Sequence, residues 1–287
     1  MRWRDKRRSE NVEDRRGRGM VGGGLKIGGV FGFIAVIIVM LLGGDPRALL
    51  QLIGQSQASA PSQPTQGPQQ QPDEISEFLR VVMASTEDVW TPLFRQDGQP
   101  YQPPTLVIFD DQVQSACGIQ GSATGPFYCP PDRQVYLDTS FFQQLESMGG
   151  AGDFAKAYVV GHEVGHHIQN LIGVADRVRA LQGQQRSQTQ ANQLQVLMEL
   201  QADCFAGVWG YHANRSQRLL EPGDAQEGLA AAAAIGDDVL LRRAGRRASP
   251  ESFTHGSAEQ RQQWLARGLQ SGNVDQCDTF AAAGVRL

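Results

Sequence analysis

The sequence predicts an α+β domain, a small N-terminal sheet followed by helices, preceded by one membrane-spanning helix. Three observations carry that reading. An uncharged apolar run occupies residues 27–44, short β-like runs broken by Gly, Pro, Asp and Ser occupy residues 103–138, and helical periodicities dominate from Thr139 onward. Strands segregated from helices, rather than alternating with them, distinguish an α+β domain from a parallel α/β sheet.

Residues 1–26 are rich in Arg, cannot bury an apolar face and read as a basic, solvated cytoplasmic tail. From Ile27 to Gly44 the chain runs IGGVFGFIAVIIVMLLGG, long enough to cross ~30 Å of hydrocarbon at ~1.5 Å per residue. A cleaved signal peptide and a buried core helix are the alternatives. A signal core spans about 7–15 residues, and the small-residue site Ala58-Ser59-Ala60 lies far beyond the run. The basic excess before the span predicts a single-pass protein of the cytoplasmic membrane, with its N-terminus inside and the remaining chain outside the cytoplasm.

Residues 45–74, dominated by Gln, Pro, Ser and Gly, read as a linker. The domain proper, residues 75–287, opens with the amphipathic segment EISEFLRVVMASTEDVWTPLF. The runs TLVIF, ACGIQ, PFYC and QVYLD supply the sheet. Helices are expected at SFFQQLES, at DFAKAYVVGHEVGHHIQNLIG, and over about residues 189–212, 225–243 and 257–268.

The net charge of −4 and the lack of a basic stripe beyond residue 26 argue against nucleic acid as a partner. Cys117, Cys129, Cys204 and Cys277 form no CxxC pair, so a zinc ribbon is disfavoured and disulfides suit the expected compartment. Three pairings are open. The favoured one joins Cys117 to Cys129 and Cys204 to Cys277, with four buried thiols as the alternative.

The segment GHEVGHHIQN, residues 161–170, holds three of the chain's five histidines. His162 and His166 stand at i and i+4, so on a helix both imidazoles leave one face and can bind one cation, with Glu163 beside them to act on water. Asp153 is the expected N-cap and Gly173 the expected stop of that helix. A catalytic zinc needs a third protein ligand and an open fourth position. Glu199 in MELQADCFAGVW completes a His2Glu set, and Asp203, one turn on, is expected to take a hydrogen bond from His162. The bland reading of that pair is a solvated helix face, against which their apolar neighbours argue. His167 and His212 read as structural, and Gly236-Asp237-Asp238 as a polar bend without chemistry.

Taken together, SENVEDRRG, the apolar span, GPFYCP, AYVVGHEVGHHIQN, ELQADCFAGVW and FTHGSAEQR resemble the bacterial putative neutral zinc metallopeptidase family. The resemblance implies a zincin-like metallopeptidase domain of gluzincin type, with Zn2+ on His162, His166 and Glu199, and Glu163 as general base. It further suggests His255 as a catalytic group that steadies the oxyanion. The alternative for that segment is a capping loop in which Ser257 and Gln260 form a capping box.

The expected function is hydrolysis of peptide bonds in a peptide or protein substrate outside the cytoplasm, by a membrane-anchored peptidase. QVYLD is the strand expected to align the substrate. The alternative is a membrane-tethered binding or adaptor protein whose zinc is structural, which would have no use for Glu163. A metal-free envelope scaffold is a third reading.

Overall fold

The computed structural model describes residues 1–17 and 73–287. The strands are β1 (Val12–Asp14), β2 (Thr105–Phe109), β3 (Gln112–Ser115), β4 (Gly118–Gly121), β5 (Phe127–Cys129) and β6 (Gln134–Asp138). The α-helices begin with α1 (Glu74–Gln96), α2 (Ser140–Ser147), α3 (Asp153–Leu171), α4 (Val174–Gly183) and α5 (Gln188–Gln217). They continue with α6 (Asp224–Ala234), α7 (Asp237–Arg243), α8 (Ala258–Ser271) and the short α9 (Thr279–Ala282).

One sheet has the order β1-β2-β6-β5, parallel except for the antiparallel β5–β6 pair. Leu106 and Ile108 of β2 join the main core beneath the helices, whereas Val107 and Phe109 join a smaller core with Val113, Cys129 and Tyr136. Both faces of β2 are covered, which explains its unbroken apolar run. The β3–β4 hairpin adjoins the smaller core through Val113, and Cys117–Cys129 ties it to β5. Cys204–Cys277 ties the C-terminal tail to α5. Both favoured pairings are present.

Close approaches between helices are made at glycines. A Cβ on Gly207 of α5 would stand 2.3 Å from the Leu265 carbonyl oxygen, and one on Gly268 of α8 would stand 2.1 Å from that of Cys204. Between α3 and α5 the same role falls to Gly161, against Trp209, and Gly165, against Ala202.

The N-terminal expectation is corrected. Residues 1–17 belong to the folded body: Trp3 is buried against Phe78, its indole donates to Asp153, and β1 pairs with β2. The arginines of this segment are solvated only in part, because Arg7 meets Glu87 and Asp88, Arg8 meets Glu77 and Arg16 meets Asp73.

Among the described residues no helix is long and apolar enough to cross a membrane. The expected span at 27–44 and the linker up to residue 72 lie outside the described residues. The expected fold is corrected to the α+β body of the described residues, none of whose helices is long and apolar enough to cross a membrane.

Smaller corrections concern boundaries. Asp153 opens α3 rather than capping it, its carboxylate being taken by Trp3, and Gly152 sits at the cap with φ 111°. Residues 174–183 form α4, where no helix was expected. The single helix expected over 225–243 is two, broken at Ile235-Gly236, where Gly236 turns extended with φ -68° and ψ 139° and its lack of a Cβ admits the Ala258 nitrogen, which would lie 2.4 Å from one.

Candidate metal centre

The approach of α5 to α3 at Gly161 and Gly165 brings Glu199 onto the histidine face. Glu199 Oε2 lies 3.1 Å from His162 Nε2 and 3.4 Å from His166 Nε2. One donor atom from each of the three residues lies within 4.8 Å of the others, and among the described residues this is the one such group of histidine, cysteine and carboxylate side chains.

The donor set fits zinc. Ligands about 2.0–2.1 Å from a tetrahedral ion stand ~3.4 Å apart, close to the spacings observed here. Both imidazoles present the correct nitrogen. His162 Nδ1 lies 2.8 Å from Asp203 Oδ1 and His166 Nδ1 lies 2.9 Å from Gln169 Oε1, each of which accepts its proton and leaves the Nε2 lone pair for a metal. Three protein donors leave a fourth tetrahedral position for substrate or water.

Asp203 is itself held. Arg261 donates from Nε to Oδ2 and from Nη2 to Oδ1, both at 2.9 Å, and Tyr158 donates its hydroxyl to Oδ1 at 2.6 Å. Burial opposes ionisation of Asp203, but Arg261 and His162 prevail and lower its pKa to about 2. Gln169, which holds His166, is fixed in turn by donating to the Met198 carbonyl and to Gln201. Arg261 and Gln169 carry no role in the sequence reading. The available signals were a charged residue facing inward from the first turn of α8, and an amide three residues after His166.

Glu163 is buried beside the triad, and burial raises its carboxyl above the ordinary range. His255 lines the same cleft from the loop before α8. Its position is set by Asp237, the residue read from sequence as a bend without chemistry. Asp237 Oδ2 accepts the backbone N–H groups of Thr254, His255 and Gly256, and its Oδ1 faces His255 Nδ1 at 3.2 Å. Burial opposes charge on His255, but the Asp237 carboxylate outweighs it and the imidazole pKa is raised. The capping box of Ser257 and Gln260 is present as well, so capping and a place in the cleft coexist.

The remaining histidines sit apart from the donor set. His167 is buried between Tyr101 and Tyr128, and His212 lies 2.8 Å from the Gly272 carbonyl.

The cleft, a cavity of about 360 Å³, runs past the triad, with β5 and its flanking turns along one wall. In strand β6, QVYLD, residues Gln134, Val135 and Tyr136 are paired on both sides by β2 and β5, which leaves them no edge for a substrate. The sheet edge at the cleft is β5.

The model of the family described as "Putative neutral zinc metallopeptidase" matches residues 1–280. The uncharacterized protein YpfJ of Escherichia coli (strain K12) is 45% identical over 285 residues, covering 98% of this chain and 99% of that protein. The uncharacterized protein Rv2575 of Mycobacterium tuberculosis (strain H37Rv) is 46% identical over 217 residues, 71% of each chain. No solved structure gives a significant match.

Proposed function

The chain belongs to this zinc metallopeptidase family, with Zn2+ as its cofactor, and from that premise we propose that it hydrolyses peptide bonds within extended polypeptides. One observation carries the proposal. A buried Glu163 stands beside a three-donor set that opens into a cleft with a free sheet edge. A structural zinc site would close its fourth position with protein and would leave Glu163 without a task.

His162, His166 and Glu199 would hold the ion, which supplies Lewis acidity to the scissile carbonyl and to the attacking water. Glu163 takes a proton from that water and returns it to the leaving amine; its raised pKa suits both transfers. His255 holds Nδ1–H toward the Asp237 carboxylate, which favours the protonated ring, and in that imidazolium form offers Nε2–H to the developing oxyanion. Backbone groups of β5 pair with the substrate chain and keep the scissile bond in register with these groups. An extracytoplasmic setting is part of the proposal; its support is the pair of disulfides, which a reducing cytosol would not maintain.

The test is digestion of an unstructured protein by the full chain, wild type against Glu163→Gln, with zinc content measured in both. Cleavage by the wild type alone at equal zinc supports the proposal. Equal cleavage by both variants removes Glu163 from the mechanism, and absence of cleavage at full zinc favours the structural-zinc reading.

A further inference from the structure

His166 Nδ1 faces Gln169 Oε1 at 2.9 Å, and beyond Gln169 a line of hydrogen bonds continues away from the metal centre. The Gln169 amide donates to Gln201 Oε1 at 3.1 Å, and the Gln201 amide donates to the Cys277 carbonyl at 3.0 Å. Gln169 and Gln201 are buried, so neither can exchange its partner for bulk water. The line ends on a backbone carbonyl, which can only accept. Gln201 must therefore point its NH2 group at Cys277 and its oxygen at Gln169, and Gln169 must point its oxygen at His166. That order places the His166 proton on Nδ1 and leaves Nε2 for the metal. The Met198 carbonyl, which takes the other Gln169 proton, favours the same orientation.

The carbonyl at the end of the line belongs to the C-terminal segment. Cys277 is bonded to Cys204 of α5, three residues beyond Gln201. Thr279 donates its hydroxyl to the Leu197 carbonyl at 2.7 Å, and Phe280 joins a small core with Leu194 and Met198. Cys277, Thr279 and Phe280 are all buried. The segment thus lies along the stretch of α5 that carries both Glu199 and Gln201. The disulfide spans 73 residues of sequence, so without it only packing and hydrogen bonds return Cys277 to Gln201.

We propose that Gln201 is a positioning residue for His166, and that the Cys204–Cys277 disulfide sets zinc affinity through it by fixing the carbonyl on which Gln201 rests. The proposal requires the zinc centre and goes beyond the peptidase reading, since no part of it involves a substrate. Its consequence is that the chain binds zinc most tightly once oxidised. In that step two thiols yield two electrons and two protons to a disulfide acceptor, which becomes a dithiol as the S–S bond forms.

Two measurements on the zinc-loaded full chain test this. In the first, NMR on 15N-labelled protein follows exchange of the imidazole Nδ1 protons with solvent. In Gln201→Met, which keeps the bulk and loses the amide, the His166 proton should exchange roughly five- to tenfold faster, the effect of about one hydrogen bond. The His162 proton, held by Asp203, should keep its wild-type rate and so reports any general loosening. An unchanged His166 rate, or equal acceleration of both protons, overturns the proposal.

In the second, competition with a chelator gives zinc affinity for wild type, Gln201→Met, the paired change Cys204→Ala with Cys277→Ala, and the combination. Gln201→Met and the disulfide-free chain should each lose roughly 3–10-fold, less than the ~10–100-fold of a direct ligand partner. The combination should lose no more than the larger of the two, as expected within one unit. Additive losses, or wild-type affinity in either variant, overturn the proposal. If the disulfide-free chain does not fold, folded wild type is reduced in place by a water-soluble phosphine until mass spectrometry shows both thiols free. An unchanged His166 proton in that protein removes the disulfide from the relay. Neither readout involves turnover, so failure of the peptidase reading is a separate result.

Discussion

Arg261 grips Asp203 through two hydrogen bonds of 2.9 Å, and the same carboxylate receives His162 Nδ1 at 2.8 Å. Both members of the ion pair are buried. A charge from α8 is thereby transmitted through α5 to an imidazole on α3, so that the metal-facing nitrogen of His162 is fixed by three helices together.

Asp203→Asn should weaken zinc binding by ~10–100-fold, since it removes the charged acceptor that orients His162. It should also cost ~3–5 kcal/mol of stability, because Arg261 is left buried and unpaired. Zinc competition against a chelator and chemical denaturation measure the two effects. Zinc affinity equal to wild type would show that Asp203 does not orient the ligand.

Gly165→Ala tests the helix crossing. A Cβ at that position would stand 2.8 Å from the Ala202 carbonyl oxygen and 2.9 Å from its Cα, backbone atoms that give way only if α5 moves. Overpacking of this kind costs ~1–3 kcal/mol, and a shift of α5 carries Glu199 away from His162 and His166. Zinc affinity and melting temperature should fall together. A drop in melting temperature alone would separate the crossing from the metal centre.

In the proposed mechanism Asp237 is a positioning residue that acts through His255. Loss of one oxyanion donor costs ~10²–10³ in kcat, so His255→Ala should fall by that amount at unchanged zinc content. Asp237→Asn should fall by less, and the double variant by no more than His255→Ala alone, as expected for two groups in one unit. Additive losses would assign Asp237 a separate role.

The parts of the site legible in the sequence are those set by spacing along one helix. His162 and His166 stand one turn apart, and Glu199 and Asp203 repeat that spacing on a second buried helix. The partners supplied by α7 and α8 were not legible. Arg261 lies 58 residues from Asp203, Asp237 lies 18 from His255, and nothing in local pattern joins them. The same reason explains the N-terminal segment. Its arginines look solvated because Glu77, Glu87 and Asp88, the acids that meet Arg7 and Arg8, are 69–81 residues away. Composition reports how much charge a segment carries, whereas its burial depends on what the fold returns to it.

His167 makes stability depend on pH. Its Nε2–H donates to the Gln102 carbonyl at 2.7 Å, so Nδ1 accepts the Tyr128 hydroxyl at 3.0 Å, and Asn170 donates to that hydroxyl in turn. The ring is satisfied only when neutral. Burial lowers its pKa to about 4, against an ordinary value of 6.5. Between those two values the unfolded chain binds more protons than the folded one, so stability rises with pH across that window. Its contribution is complete above the unfolded value and falls progressively from pH 6.5 toward pH 4, by up to ~3 kcal/mol. Urea unfolding at pH 7 and pH 4.5 should show a larger difference for wild type than for His167→Gln, which is less stable at pH 7 but has no imidazole to protonate. An equal pH dependence in the two proteins would move the titrating group elsewhere.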